Sequence, residues 1–389
     1  MDSSQVQGNV RLKASREQSL LRFHPWVFSG AIASQPDGLT NGCWVSVSDH
    51  RGNVLGFGHW QQGSISIRIL QFGAQLEPDI YHGKLAAAIR MRRELGILNS
   101  STNCCRLVHG EGDGLPGLVI DLYDRTAVIQ AHSHGMTQDR SRITEALVAA
   151  MGGPLEAVWY RDTLSGHGEY LFGSGVSPSE VTENGNRFLV DWEHGQKTGF
   201  FLDQRDNRKL LGTHCAGKKV LNTFSYTGGF SVYALRGGAT LVHSVDASAS
   251  ATALCSENIR INGFDPELHR SHAMDTFEFL RGSETKYDVI ILDPPAFAKH
   301  KDSRHQAMKG YQRLNAEALN VIQPGGILFT FSCSQVVDRQ LFYDTVMSSA
   351  IQAGRDARVI GHLSQPGDHP VSAFHPEGAY LKGLVLYIP

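Results

Sequence analysis

At 389 residues the chain is longer than one average domain, so two or three domains are expected. With 41% hydrophobic and 19% charged residues and a net charge of −2, it has the composition of an ordinary globular protein, and overall charge selects neither nucleic acid nor its exclusion. No apolar run reaches the roughly 18–20 residues of a membrane span, and the polar start from Met1 to Arg11 lacks a signal-peptide core, which implies the cytoplasm and no membrane partner. Cys43, Cys104, Cys105, Cys215, Cys255 and Cys333 form no CxxC pair and no zinc-type spacing, and the histidines are scattered. The expectation is reduced thiols and no metal.

Residues 1–75 read as short strands separated by glycine turns. Gly42-Cys-Trp-Val-Ser-Val-Ser alternates, Asp49-His-Arg-Gly is a turn, and strands follow at Val54 and Ser64. Such spacing suggests a small β-barrel. Residues 76–190 read as a small α+β unit that opens on an amphipathic helix from Asp79 to Leu95, capped by Asp79 and basic at Arg90, Arg92 and Arg93. Strands are expected at 105–109, 118–122, 127–132 and 157–161, with a helix near 138–151. The loop Glu111-Gly-Asp-Gly-Leu-Pro-Gly is dense in turn formers and reads as a structural turn, since Glu111 and Asp113 would repel phosphate.

Within residues 191–389 the period changes from Gly217 onward to alternating strands and helices. Strands are expected at 220–224, 241–246, 288–292 and 327–332, with helices at 229–236, 248–262 and 311–322. The fold class is therefore α/β, with a doubly wound, Rossmann-like sheet in the C-terminal half.

The first of these strands runs into Phe224-Ser-Tyr-Thr-Gly-Gly-Phe, where glycines permit a sharp turn and close approach to a ligand. The second ends in Asp246, placed to accept bonds from two ribose hydroxyls. A later acid, Asp275, is placed to meet an adenine amino group. The turn lacks the G-x-G-x-x-G series that seats a pyrophosphate, which favours S-adenosylmethionine over a dinucleotide. A nucleotide-independent domain in which Asp246 and Asp275 merely cap helices is the plain alternative.

The 288–292 strand ends in Asp293-Pro294-Pro295, with Phe297 two residues on, at the sheet edge where open α/β folds bind substrate. The 327–332 strand ends in Ser332-Cys333-Ser334 on the same edge. Carbon 5 of a pyrimidine is too weak a nucleophile to attack a sulfonium methyl unaided. A thiolate adding at C6 activates it, and an acid such as Asp293 at N3 stabilises the charge that develops. Methylation of an exocyclic amine needs no thiol, so Cys333 argues for carbon methylation unless it is a buried core thiol.

These motifs resemble those of the bacterial 23S rRNA large-subunit methyltransferases of the cytosine-C5 type. The resemblance spans nearly the whole chain. It rests on His24-Pro-Trp-Val-Phe-Ser-Gly-Ala-Ile, the 111–117 loop, Gly195-Gln-Lys-Thr-Gly-Phe-Phe-Leu-Asp-Gln-Arg-Asp-Asn-Arg, Phe224-Ser-Tyr-Thr-Gly-Gly-Phe, Asp293-Pro-Pro and Ser332-Cys-Ser. It implies a PUA-like RNA-binding domain over 1–75, a central domain over 76–190 and a methyltransferase domain over 191–389. Lys197, Thr198, Gly199 and Gln204 would pack over the cofactor, and Phe224, Tyr226, Thr227, Gly228 and Gly229 would hold its amino-acid end. Asp246 would meet the ribose and Asp275 the adenine. Asp293 would face the base, and Cys333 would be the nucleophile. The implied partner is structured 23S ribosomal RNA, and a homodimer is left open.

Two departures stand out. No second cysteine follows the prolines at 294–295, and Ala296 separates Asp293-Pro-Pro from Phe297, unlike the amine-methylating motif in which the aromatic follows directly. A guanine or exocyclic-amine RNA methyltransferase with a structural Cys333 therefore remains an alternative, as does a non-catalytic RNA-binding assembly factor. Arg90, Arg92, Arg93, Lys299 and Lys301 are the candidate phosphate contacts, weighed against a plain solvated basic surface.

Overall fold

Alternating apolar residues broken by glycine turns give the N-terminal segment its strands. These are β1 (Val6–Leu12), followed by the short helix α1 (Gln18–Leu21), then β2 (Trp26–Phe28), β3 (Ile32–Ser34), β4 (Trp44–Ser48), β5 (Val54–Trp60) and β6 (Ile65–Phe72). The structure, a computed structural model, describes residues 6–163, 166–298 and 300–389, with the backbone alone at Lys301. The six strands form one sheet in the order β2-β6-β5-β4-β1-β3, antiparallel apart from the β1–β4 pair. Their inward residues Val10, Leu12, Val27, Val45, Val47 and Ile67 make its core.

A second sheet follows the helix α2 (Ile80–Glu94). It comprises β7 (Cys104–His109), β8 (Leu118–Tyr123), β9 (Thr126–Ala131), β10 (Ala157–Asp162) and β11 (Gly168–Gly173). Helices α3 (His134–Gln138) and α4 (Arg140–Met151) lie between β9 and β10. The buried face of α2 presents Tyr81, Leu85, Ala88, Ile89 and Arg92, spaced to share one stripe. Asp79 occupies the N-cap position of α2, but its side chain makes no capping bond.

Arg92 is a correction to the expected phosphate contacts. It is fully buried, and its guanidinium donates to both oxygens of Asp113 at 2.5 and 2.8 Å and to the carbonyls of Arg106 and Asp368. A cation this deep survives only because its donors are all used, so Arg92 braces the 110–113 turn rather than facing solvent. Arg90 and Arg93 remain exposed, and Arg93 also donates to the carbonyl of Met151 at 3.0 Å. Lys299 and the side chain of Lys301 lie outside the described residues.

By internal contacts the described chain forms two units. The first takes residues within Met1–Pro178, Asp191–Gly199 and Gly367–Gly378, and the second takes Ser179–Val190, Phe200–Pro366 and Ala379–Pro389. The second unit opens on the hairpin β12 (Ser179–Glu183) and β13 (Asn186–Val190). It continues through α5 (Arg205–Gly212), β14 (Lys219–Thr223), α6 (Gly229–Arg236), β15 (Leu241–Asp246), α7 (Ala249–Ile261), β16 (His269–Ala273) and α8 (Thr276–Gly282). The chain then forms β17 (Tyr287–Leu292), α9 (Arg304–Val321), β18 (Ile322–Ser332), α10 (Arg339–Gln352), β19 (Arg358–Ser364) and β20 (Lys382–Ile388).

The seven strands of its main sheet run in the order β16-β15-β14-β17-β18-β20-β19. The first five are parallel, and β20 is antiparallel to both its neighbours. Strand order reverses between β14 and β17, so the crevice at their carboxyl ends is where a ligand is expected. No described helix is long and apolar enough to cross a membrane.

Replacing Arg92 with Met should lower the stability of the first unit by about 3–5 kcal/mol, because Asp113 is left buried without its cation. Urea unfolding measures this, and a loss no larger than that of an ordinary surface substitution would contradict the buried-brace role.

Candidate active site

The turn after β14 is held in a backbone shape that few residues adopt. Phe224 and Tyr226 have φ of +53° and +46°, and Gly228 has φ of +82°. Left-handed non-glycine residues cost energy and persist where surrounding bonds impose them. The bonds here come from neighbouring elements. Asp246 at the end of β15 accepts from the Tyr226 amide and the Ser248 amide, both at 2.9 Å. The Asn258 amide donates to the Thr227 carbonyl at 2.8 Å. At Gly228 a Cβ would fall 2.3 Å from the Cys255 sulfur, so both φ and the close approach of α7 require glycine there.

Against this turn lies a narrow cleft of about 30 Å³. Phe224, Ser225, Tyr226, Thr227, Gly229 and Phe230 line one wall, Phe200, Phe201, Gln204 and Arg208 another, and Asp293 also borders it. The Ser225 and Thr227 hydroxyls are buried and have no hydrogen-bond partner among the described residues. Buried orphan hydroxyls beside a cleft are the polar contacts a ligand would complete. Arg208 donates to both oxygens of Glu183 at 2.9 and 2.7 Å and to the Phe201 carbonyl at 2.8 Å, and its guanidinium lies 4.6 Å from the Phe200 ring centroid. Sequence reasoning quoted Arg208 within the Gly195 motif without giving it a role.

The cleft thus brings together Gln204, Phe224, Tyr226, Thr227, Gly229 and Asp293, with Gly228 within the turn and Asp246 holding it. Other expected contacts are not among its lining residues. Asp275 is exposed and caps α8, accepting from the Glu278 amide at 3.1 Å, which is the capping alternative. Lys197, Thr198 and Gly199 belong to the first unit. There the Thr198 hydroxyl donates to Asp121 at 2.5 Å, and the Lys197 carbonyl accepts from Gln130 and Arg161.

Adjacent parallel strands set the next pair of groups. Leu292 of β17 stands opposite Thr330 of β18, so Asp293 and Cys333 both emerge from the carboxyl edge. Cys333 is half-buried, whereas the other five cysteines are buried. The buried Tyr311 hydroxyl, which accepts from Ser332 at 3.0 Å, is pushed up to about 12, by burial first and by the Cys333 and Asp293 charges as well. The Ser334 hydroxyl donates to the Ala298 carbonyl at 2.7 Å, tying the segment after Asp293-Pro-Pro to the end of β18.

Lys382 is the residue the sequence reading missed. It pairs in register with Ser332 across the β18–β20 ladder, and its ammonium donates to the Ser334 carbonyl at 2.6 Å, so it flanks Cys333. Burial lowers it to about 8, while the Cys333 charge works in the opposite direction. A lysine in an apolar strand gives no periodic signal, and only the strand pairing identifies its neighbour.

Comparison with known proteins gives this geometry a family. A model described as S-adenosylmethionine-dependent methyltransferase matches residues 117–385, and a PUA-like domain model matches residues 10–72. Proteins named Ribosomal RNA large subunit methyltransferase I are similar end to end. That of Alteromonas mediterranea is 40% identical over 98% of this chain and 98% of its own, and that of Shewanella amazonensis 39% over 97% and 98%. The fold matches the crystal structure of SMU.776 complexed with SAH, at a TM-score of 0.85 and 24% identity over 97% of this chain and 99% of that one.

The two orphan hydroxyls fit a cofactor in the cleft. Thr227→Val should raise the Kd for S-adenosylmethionine roughly five-fold, about 1 kcal/mol, without loss of fold. Calorimetric titration reads it, and an unchanged Kd would remove Thr227 from the binding surface.

Proposed function

Because the chain belongs to the S-adenosylmethionine-dependent methyltransferase family, we propose that it methylates ribosomal RNA of the large subunit and forms 5-methylcytosine through a Cys333 adduct. The observation that carries this reading is the half-exposed Cys333 beside Asp293 at the carboxyl edge of two adjacent parallel strands. The names of the full-length relatives and the PUA-like N-terminal match support an RNA substrate.

The bound cofactor supplies an electrophilic methyl on a sulfonium. Lys382 takes the Cys333 thiol proton, and the ammonium so formed holds the thiolate. The thiolate bonds C6 of cytosine, and Asp293 in its acid form donates a hydrogen bond to N3 as negative charge accumulates there. Carbon 5 then accepts the methyl group. Loss of the C5 proton to a base drives cleavage of the sulfur–C6 bond and returns the thiolate.

Phe297 argues against amine methylation. Its ring centroid lies 4.6 Å from that of buried Tyr311, so it serves packing there rather than standing free to stack on a flipped base. In an enzyme of this kind Arg90 and Arg93, both exposed, are the described guanidiniums of the α2 set open to RNA phosphates.

Cys333→Ala should abolish methyl transfer to a large-subunit RNA fragment while leaving S-adenosylmethionine affinity unchanged. Transfer by the wild type should rise as pH climbs through about 8, because the neutral Lys382 amine is the proton acceptor. Lys382→Met should lower the rate by about 10²–10⁴ and flatten that rise. Tritium transfer from labelled cofactor across pH 6.5–9 reads all three. Near wild-type transfer by Cys333→Ala, or a methylated exocyclic amine in the digest, would contradict the proposal.

A further inference from the structure

In the first unit, distant from any sequence motif for metal, His24, His375 and Glu377 converge. Each offers a donor atom, and these atoms all lie within 4.8 Å of one another. His24 Nε2 is 3.6 Å from one Glu377 oxygen, and His375 Nε2 is 3.8 Å from the other. His375 is 3% exposed, and neither of its ring nitrogens has a hydrogen-bond partner among the described residues. A buried imidazole in that position has given up water without replacement, an arrangement that calls for a ligand.

The surroundings favour a cation. The Trp26 ring packs 4.3 Å from the His375 ring, and its indole nitrogen donates to Glu111 at 2.9 Å. Glu111 and Glu377 both act electrostatically on His375, and His24 is the opposing charge. Burial lowers the proton affinity of His375, which keeps the imidazole neutral and its lone pair available.

We propose that His24, His375 and Glu377 bind one divalent transition-metal ion of the zinc class, clipping the 367–378 segment to the N-terminal sheet. Two imidazoles and a carboxylate form a donor set suited to zinc, with a fourth position for water. Metal–ligand distances of about 2.0–2.1 Å at tetrahedral angles put donors roughly 3.3–3.4 Å apart. The observed 3.6 and 3.8 Å, to the two oxygens of Glu377, need a contraction of a few tenths of an ångström, and donor separations of up to 4.8 Å need more. Rotation of Glu377 supplies part of it, since its side chain is 54% exposed.

His24 Nδ1 accepts from the Trp26 amide at 3.2 Å. Coordination through Nε2 moves the ring proton to Nδ1 and gives up this one long hydrogen bond. The segment that carries His375 is already seated by direct contacts. Asp368 accepts from Arg106 and its carbonyl from Arg92, and the Pro370 carbonyl comes so near Gly112 that a Cβ there would lie 1.9 Å away. The donor geometry is thus set before the ion arrives. The ion in turn joins residues at opposite ends of the chain and closes a loop that is costly in the unfolded state.

The test is zinc chloride titration of the chelator-stripped full chain by calorimetry, with the visible spectrum of the cobalt(II) form as a second readout. The expected result is one equivalent bound, a higher Tm with zinc, and at least a ten-fold weaker Kd in Glu377→Gln and in His24→Asn, with unchanged far-ultraviolet circular dichroism. Cys333→Ala should bind as the wild type does. Absence of a saturable equivalent, or an affinity that Glu377→Gln and His24→Asn leave unchanged, overturns the proposal. So does loss of binding in Cys333→Ala, which assigns the ion to the thiol.

Discussion

The second unit is organised around a carboxylate with no access to water, Glu183. Alone, a buried anion would cost several kcal/mol, so it persists only through the partners that reach it. Arg208 of α5 gives it two hydrogen bonds, and the Tyr233 hydroxyl of α6 donates to it at 3.0 Å. One charge in the β12–β13 hairpin thereby fixes the relation of the hairpin to two helices. The same guanidinium reaches the Phe201 carbonyl and lies over Phe200, two residues that wall the cleft. Cleft shape and fold stability thus share one ion pair.

From that frame the active-site edge follows by strand register. The parallel pairing of β14, β15, β17 and β18 brings the Phe224–Gly229 turn, Asp246, Asp293 and Cys333 to one edge. The antiparallel β20 then returns along β18 and delivers Lys382 beside Cys333. Buried polar groups along this edge lean on each other. Tyr311 is pushed upward and Lys382 downward by the same loss of water, and the charges at Cys333 and Asp293 raise Tyr311 further. A protein of this family uses S-adenosylmethionine, and the thiol of Cys333 stands at the edge of its sheet.

The most periodic parts of this architecture could be read before the structure. Gly229–Arg236 and Leu241–Asp246 form the helix and strand their patterns imply, and Ser248 caps α7 through the Ala251 amide. Elements with little apolar periodicity were not legible. β16 reads His269-Arg-Ser-His-Ala and lies at a sheet edge, and β12 reads Ser179-Glu-Val-Thr-Glu, polar at all but Val181. Charged residues misled where burial reversed their meaning. Arg92 looked like the basic end of a helix, because nothing local reveals Asp113 as its partner. Asp275, expected to meet adenine, also caps α8. Lys382 beside Cys333, and His375 beside His24, carry information through partners far away in sequence, which no spacing rule within one segment detects.

The central claim, a covalent step at Cys333 on a cytosine ring, is tested most directly by trapping. A large-subunit RNA fragment containing 5-fluorocytosine cannot lose a proton at C5, so the adduct cannot resolve once methyl transfer has occurred. Incubation with enzyme and S-adenosylmethionine, followed by proteolysis and mass spectrometry, should give a methylated fluorocytosine cross-linked to the peptide that carries Cys333. Absence of any cross-link, with methyl transfer to unmodified RNA proceeding normally, would contradict the account.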